Sequence, residues 1–281
     1  MKKNFAIVGV GLIGGSLALK CRKNGLANRI VGVDNSQEHG REAIELGLVD
    51  EMMGLDEAIH VADVIVLAVP VGVLSALLPH VLDKVTDQVV IDMGSTKSQL
   101  AAIVKDHPRR GRFVASHPMW GTEYSGPGAA VENAFEEKAV IVCDTTESDP
   151  DALATATEIF NSLKMRIIEM GSNDHDLHAA YVSHISHITS FALANTVLEK
   201  EKEDDAIFEM ASAGFESTVR LAKSSPDMWT PILMQNRENI LDVLNEHITQ
   251  LRKFKSCLEK ENWEYLNELM SKANQIRRII H

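Results

Sequence analysis

The sequence predicts an α/β fold with a doubly wound parallel sheet, followed by an all-helical second part. The first 170 or so residues alternate short apolar, β-branched runs with segments of helical spacing, which is the pattern of a parallel sheet covered by helices. After Gly171 the strand signal stops and helical periodicity takes over. We therefore place a domain boundary there and expect domains over 1–171 and 172–281.

Seven strands and eight helices are predicted in this order. The strand candidates are Phe5–Val8, Arg29–Val33, Asp63–Val69, Gln88–Asp92, Arg112–Ala115, Ala139–Val142 and Met165–Ile168. The helix candidates between them are Leu12–Asn24, Glu38–Leu46, Val73–Leu82 and Ala152–Leu163, and those of the second part are Asp174–Leu198, Ala206–Lys223, Met228–Lys260 and Glu264–Ile279. The charged run 199–205 is expected to be a solvated loop or helix end.

Composition excludes several classes of function. The chain has 281 residues, 45% of them hydrophobic, and a formal net charge of −12, which argues against a nucleic-acid or anionic-membrane binder. No apolar run approaches the length of a membrane span. The three cysteines are far apart, as expected of free thiols in a reducing compartment. We expect a cytoplasmic protein.

A glycine motif joins the first strand to the first helix. Gly9, Gly11 and Gly14 form G-x-G-x-x-G, with Leu12 and Ile13 opening the helix. Such glycines let the backbone approach a pyrophosphate, which then lies on the positive helix N-terminus. Asp34 ends the second strand, where an acid can bind the ribose hydroxyls and repel a 2′-phosphate. These residues predict a Rossmann domain that binds NAD rather than NADP.

Polar residues also follow later strands of the predicted sheet. Ser95 follows the strand that ends at Asp92. His117 lies two residues after the strand candidate Arg112–Ala115. Because ligands bind at the carboxyl ends of parallel strands, a serine and a histidine there can orient a substrate and take its proton. A helix cap for Ser95 and a turn role for His117 are the structural alternatives.

The helical part adds a histidine-rich segment that begins at His175. Ser183, His184 and His187 share one helix face. A metal site is disfavoured, because the glutamate of an H-E-x-x-H motif is missing and no cysteine is near. Arg220 is a candidate for a bidentate pair with a substrate carboxylate, the alternative being an exposed helix arginine.

Together these segments resemble the prephenate/arogenate dehydrogenase family of tyrosine biosynthesis. The resemblance rests on Val8–Ala18, Asp92–Lys97, His117–Gly126, Ser183–His187 and Gly214–Trp229 and spans nearly the whole chain. Ser186 stands where the family often has proline. The resemblance implies a helical domain that forms a homodimer, and NAD-dependent oxidative decarboxylation of prephenate to 4-hydroxyphenylpyruvate. Oxidation of arogenate directly to tyrosine is the alternative.

The resemblance also implies roles for individual residues. His117 is the catalytic histidine, Ser95 assists it, and Arg220 binds the ring carboxylate. Glu123 lines and gates the pocket, and His175, Ser183, His184 and His187 belong to the substrate side. Two other classes of function stay open. One is another Rossmann-plus-helical dehydrogenase, such as a β-hydroxyacid dehydrogenase, which has a catalytic lysine on the first long helix of its second domain; it is disfavoured because the first lysine after Met170 is Lys200, near the end of the corresponding helix. The other is a nucleotide-sensing protein without chemistry.

Overall fold

The computed structural model describes residues 2–202 and 206–279. Among these, eight strands form one sheet in the order β3-β2-β1-β4-β5-β6-β7-β8. The strands are β1 Lys3–Val8, β2 Ala27–Val33, β3 Glu51–Met52, β4 Val64–Leu67, β5 Val89–Asp92, β6 Phe113–Pro118, β7 Ala139–Cys143 and β8 Arg166–Met170. All seven predicted strands are present, and the two-residue β3 is an addition that its length hides from pattern analysis.

Helices follow most of the strands and continue to the end of the described chain. They are α1 Leu12–Lys23, α2 Gln37–Glu45, α3 Leu55–Val61, α4 Val71–Lys84, α5 Ser98–Val104, α6 Pro150–Ser162, α7 Ser172–Ala179, α8 Ile185–Glu201, α9 Ala206–Glu209, α10 Ala213–Val219, α11 Pro226–Gln235, α12 Arg237–Glu259 and α13 Trp263–Ala273. The α/β class with a helical second part is therefore confirmed. α8 ends at Glu201, within the charged run 199–205. Residues 203–205 of that run lie outside the described residues.

The sheet is buried on both faces because its strands are apolar throughout. Phe5 and Ile7 of β1 belong to one apolar cluster, whereas Ala6 and Val8 belong to another. Side chains alternate between the two faces of a strand, so these clusters lie on opposite sides of the sheet. This arrangement leaves the ends of the strands, rather than their faces, available to form a site.

The expectation of a wholly parallel sheet is wrong at one edge. β1, β2, β3, β4, β5 and β6 pair in parallel, but β6 and β7 are antiparallel, with His117 opposite Ile141. β8 is parallel to β7. The connection 119–138 holds one short 3-10 turn instead of a crossover helix, so the chain reverses direction after β6.

The helical part is more interrupted than its periodicity predicts. A π-helical turn at Ala180–His184 joins α7 to α8, where one continuous helix is expected. The expected helix over Met228–Lys260 is two helices separated at Asn236, and Ala206–Lys223 is divided into α9, α10 and a 3-10 turn. At the break between α11 and α12, the buried Asn236 side chain donates a hydrogen bond to the backbone oxygen of Asp176.

The described chain forms two compact units, one up to Asn236 and one from Arg237 onward. α7 to α11 therefore belong to the same compact unit as the sheet, and α12 and α13 pack on each other in the second unit. This division by compactness differs from the expected boundary near residue 171, which stays a prediction. Within the described residues, every helix is too short or too polar to cross a membrane.

Candidate active site

A glycine turn joins β1 to α1 and leaves the N-terminus of that helix open. Gly9 has φ +92°, and a Cβ there would lie 2.5 Å from the carbonyl oxygen of Ala68. A Cβ on Gly14 would overlap the carbonyl oxygen of Gly9, whereas one on Gly11 would meet nothing closer than 3.9 Å. α1 has no side-chain cap and no acidic residue in its first turn. Its free amides and positive dipole end thus form a cradle that suits a pyrophosphate.

Asp34 stands at the end of β2 beside this turn. Its Oδ2 accepts a hydrogen bond from the Val10 amide at 3.2 Å, and its Oδ1 accepts one from the Ser36 amide at 2.9 Å. The carboxylate is thereby fixed next to the cradle, with acceptor capacity left for ribose hydroxyls. The residues present therefore fit a dinucleotide with an unmodified adenosine ribose.

One cavity of about 570 Å³ connects this turn to the polar ends of the strands. Its wall includes most of the residues expected from the sequence, namely Gly11, Leu12, Ile13, Ser95, His117, Glu123, Ser183, His187 and Arg220. Gly9, Gly14 and Asp34 support the glycine turn from outside the cavity wall. The cavity lies within the first compact unit.

His117 is the penultimate residue of β6 and is 9% exposed. Its Nδ1 is 2.8 Å from Nε2 of His175, and the two rings meet edge to face. Burial lowers the pKa of His117 well below its usual value, and repulsion from a proton on His175, from Lys97 and from a proton on His184 opposes its protonation further. The imidazole is therefore neutral near pH 7, as a general base must be.

Ser95 lies in the loop that follows β5 and contributes to the cavity wall. The helix-cap alternative does not apply, because the first amides of α5 are bound by Asp176 instead. A fully buried ion pair between Lys97 and Asp92 joins the two ends of this loop. Asp92 also accepts hydrogen bonds from the amides of Gly94 and Ser116, so one carboxylate connects the loop to the strand that carries His117.

Arg220 and Glu123, which both belong to the cavity wall, form an ion pair with each other. Nη1 of Arg220 donates to Oε2 of Glu123 at 3.2 Å. The pKa of Glu123 is lowered, first by a hydrogen bond to its own backbone and then by Arg220. The Arg220 side chain is 49% exposed, so its guanidinium is partly solvated rather than deeply buried.

His187 is the second histidine of the cavity. Its Nδ1 lies 3.1 Å from the carbonyl oxygen of Ser183, and its ring stacks on Trp229 with centroids 3.5 Å apart. Because that carbonyl accepts the Nδ1 proton, Nε2 of a neutral His187 remains an acceptor. Burial lowers the pKa of His187, and the Ser183 carbonyl opposes that shift.

The expected contact of His175 and His184 with the substrate stays a prediction, and neither side chain belongs to the cavity wall. They are 2% and 1% exposed and lie behind the cavity wall. The π-helical turn ends at His184, whose Nδ1 is 3.1 Å from Nδ2 of Asn236, and His178 of the same segment is exposed. In the described part of the chain, no three His, Cys, Asp or Glu side chains gather as metal ligands would.

Sequence reasoning missed four residues of this neighbourhood. Asp176, Lys97, Asn236 and Trp229 hold the cavity histidines and the Ser95 loop through contacts between distant positions. In the sequence itself, the sole indications are that Asp176 directly follows His175 and that Lys97 is the last residue of the Asp92–Lys97 segment. Together, the fold and the cavity define an oxidoreductase that uses a dinucleotide.

Comparison with known proteins places the chain in one family. Residues 17–169 match the family model "Prephenate dehydrogenase, nucleotide-binding domain", and residues 171–272 match "Prephenate dehydrogenase, dimerization domain". The chain is 31% identical to the prephenate dehydrogenase of Bacillus subtilis (strain 168), with 99% of this chain and 76% of that protein aligned. The chain belongs to the prephenate dehydrogenase family and is an NAD-dependent oxidoreductase.

Two solved structures show the same architecture. The prephenate dehydrogenase of A. aeolicus, in complex with hydroxyphenyl propionate and NAD+, has a TM-score of 0.90 and 30% identity, covering 100% of this chain and 99% of that one. The arogenate dehydrogenase of Synechocystis has a TM-score of 0.79 and 27% identity, covering 99% of this chain and 100% of that one.

Proposed function

We propose that this protein oxidises and decarboxylates prephenate, with NAD as the hydride acceptor, to give 4-hydroxyphenylpyruvate. The observation that carries the proposal is that a neutral histidine, an arginine and an open helix N-terminus contribute to one cavity. Prephenate needs these groups: a base for its ring hydroxyl, a cation for its ring carboxylate, and a nucleotide close by. The relatives named prephenate dehydrogenase support the same substrate.

The protein's residues would act on the two ends of the substrate ring. Arg220 binds the ring carboxylate, and Ser95 and His187 orient the ring from the cavity wall. His117 accepts the hydrogen bond of the ring hydroxyl and takes its proton as the carbonyl forms. Bound NAD supplies the acceptor for the hydride that leaves the same carbon. The carboxylate then departs as carbon dioxide, its bonding electrons make the ring aromatic, and the ring oxygen takes the proton back from His117 to give the phenol.

Arogenate is the second candidate, supported by the likeness to the Synechocystis enzyme. It differs from prephenate in carrying an ammonium group in place of the side-chain keto group. Lys138 belongs to the cavity wall together with Arg220. Glu123 supplies one carboxylate to the same wall, so two cations face one anion there, and this balance favours prephenate, which lacks the ammonium group.

The test is the formation of NADH in parallel reactions with prephenate and arogenate. We expect absorbance to rise with prephenate, and a His117→Asn variant to lose on the order of 10²–10⁴ in kcat. His178→Asn, which changes an exposed histidine of α7, is the matched control and should retain activity. A signal with arogenate alone would transfer the assignment to that substrate, and silence with both would refute the proposal.

We further propose a homodimer with a domain boundary near residue 171. The match of residues 171–272 to a dimerization domain supports both statements. In the second compact unit, Leu251, Leu258, Trp263 and Met270 are exposed apolar side chains, as a buried contact between subunits requires.

Three free cysteines support a reducing, cytoplasmic location.

A further inference from the structure

Three buried side chains form a hydrogen-bonded row that begins at His117 in the cavity wall and continues into the protein interior. Nδ1 of His117 is 2.8 Å from Nε2 of His175, and Nδ1 of His175 is 2.8 Å from Oδ1 of Asp176. His175 and Asp176 are 2% and 1% exposed, and neither belongs to the cavity wall. Within this row, His175 is the link between Asp176 and His117.

When His175 is neutral, the anionic end of the row fixes the position of the proton on each of the two imidazoles. Burial alone would raise the pKa of Asp176, but hydrogen bonds from His175, Ser98 and the backbone amides of Ser98 and Lys97 lower it below its usual value. An ionised carboxylate only accepts hydrogen bonds, so the single N–H of a neutral His175 is on Nδ1. Its Nε2 is then an acceptor, and His117 must carry its own proton on Nδ1.

We propose that His175 and Asp176 are positioning residues that hold neutral His117 as its Nδ1–H tautomer. Nε2 of His117 then keeps its lone pair, and this is the atom that takes the proton of the ring hydroxyl. The statement about the tautomer depends only on the row of hydrogen bonds. The statement about the ring hydroxyl rests on the proposed function.

The other charged groups near His117 leave this assignment intact. Lys97 acts on it through its charge, and His184 does so only when it is protonated. Lys97 forms its ion pair with Asp92, and Nδ1 of His184 faces Asn236. The row through His175 is thus the hydrogen-bonded connection between His117 and a carboxylate.

Asp176 has a second role that decides the choice of variants. The same carboxylate accepts hydrogen bonds from the amides of Lys97 and Ser98, at 2.8 Å and 2.9 Å, and from the Ser98 hydroxyl. It therefore caps the start of α5, just after the Ser95 loop. A change at Asp176 would disturb that loop as well as His175, so substitutions at His175 give the clearer result.

The first measurement is the protonation of His117 in the whole protein, by long-range ¹H–¹⁵N correlation NMR with ¹⁵N-labelled histidine. The His117 signals are identified by their disappearance in His117→Asn. We expect a protonated Nδ1 and an unprotonated Nε2 at pH 7.5. A wild-type His117 that carries its proton on Nε2 would overturn the proposal.

Two variants of His175 then test the cause. In His175→Leu the acceptor is lost, and we expect the His117 proton to redistribute toward Nε2. In His175→Gln the carboxamide can donate to Asp176 and accept from His117, so the Nδ1–H tautomer should persist. An unchanged tautomer in a folded His175→Leu protein would contradict the proposal, and the wild-type spectrum decides the question if that variant does not fold.

Kinetics provide a second readout. We expect kcat of His175→Leu to fall about 10²-fold with KM near the wild-type value, because a misdirected base harms the transition state more than binding. His175→Gln should recover most of that loss. The spectra require no turnover, so a protein inactive with both substrates would refute the proposed function while leaving the tautomer result to stand or fail on its own.

Discussion

At the scale of single residues, three histidines of one segment acquire different roles from their surroundings. His187 belongs to the cavity wall, His175 is buried behind His117, and His184 packs edge to face on Trp229. Helical spacing places His184 and His187 on one face, but it does not reveal which of them reaches a cavity. The neighbouring elements decide that.

Arg220 gives a prediction at this scale. Because its side chain is 49% exposed, a bound carboxylate is partly screened by solvent, and the contact is worth less than a fully desolvated pair. We expect Arg220→Ala to raise KM for prephenate about tenfold, which corresponds to roughly 1.4 kcal/mol. Steady-state kinetics measure this, with kcat changing less than KM.

Arg109→Ala removes an exposed arginine outside the cavity and serves as the control. Glu123→Gln tests the pair itself, since it frees the guanidinium and should leave KM equal or lower. An unchanged KM in Arg220→Ala would assign Arg220 to the protein surface instead of to substrate binding.

The sequence allowed His117, Ser95 and Arg220 to be proposed because strand ends and a motif resemblance locate them. Asp176 was not found, because its partners are the residue before it and amides 79 and 78 positions earlier in the chain. Such contacts arise only when α7 packs beside α5, and a single sequence carries no direct sign of that packing. The same reason explains the omission of Lys97 and Trp229.

At the scale of elements, long and strongly periodic segments were predicted well and short or interrupted ones were not. α1 and β5 were found to within one residue at each end, whereas α3 and α5, of seven residues each, were missed. The reversal of β7 also escaped prediction, because an apolar run reads the same in a parallel and an antiparallel strand.

The glycine turn supplies a prediction for an element. A Cβ on Gly14 would overlap the carbonyl oxygen of Gly9 and lie 2.8 Å from Cγ2 of Ile7, so α1 would have to move away from β1. We expect Gly14→Ala to cost about 1–3 kcal/mol in the free energy of unfolding and to weaken NAD binding.

Urea unfolding and a fluorescence titration with NADH measure the two effects. Gly54→Ala is the matched control, because a Cβ there would meet only the Glu57 carboxylate, at 3.6 Å. Wild-type stability and NADH affinity in Gly14→Ala would show that the turn tolerates a side chain, contrary to the geometry.

At the scale of the whole molecule, buried neutral histidines make stability depend on pH. Burial lowers the pKa of His184 to about 4, and the pKa values of His117 and His187 are also lowered. The unfolded chain, with histidine pKa near 6.5, therefore binds more protons than the folded one between about pH 4 and 6.5. Stability is complete above that window and is lost as the pH falls through it.

We expect the free energy of unfolding to decrease from pH 7 to pH 5, with His184 contributing roughly 3 kcal/mol over its full window. Urea unfolding at a series of pH values measures the slope. His184→Asn should be less stable at pH 7 but should show a shallower slope, and His178→Asn should keep the wild-type slope. A stability that is flat or rises on acidification would contradict the assignment of buried, neutral histidines.

The cap that Asp176 provides has a consequence for local opening of the chain. α5 has seven residues, and the first amides of so short a helix ordinarily exchange with solvent hydrogen at rates close to those of a loop. Here the amides of Lys97 and Ser98 are released only when the carboxylate of α7 withdraws. Their deuterium uptake therefore reports the separation of α7 from α5, so that two amides beside the Ser95 loop register whether the segment that carries His175 is in place.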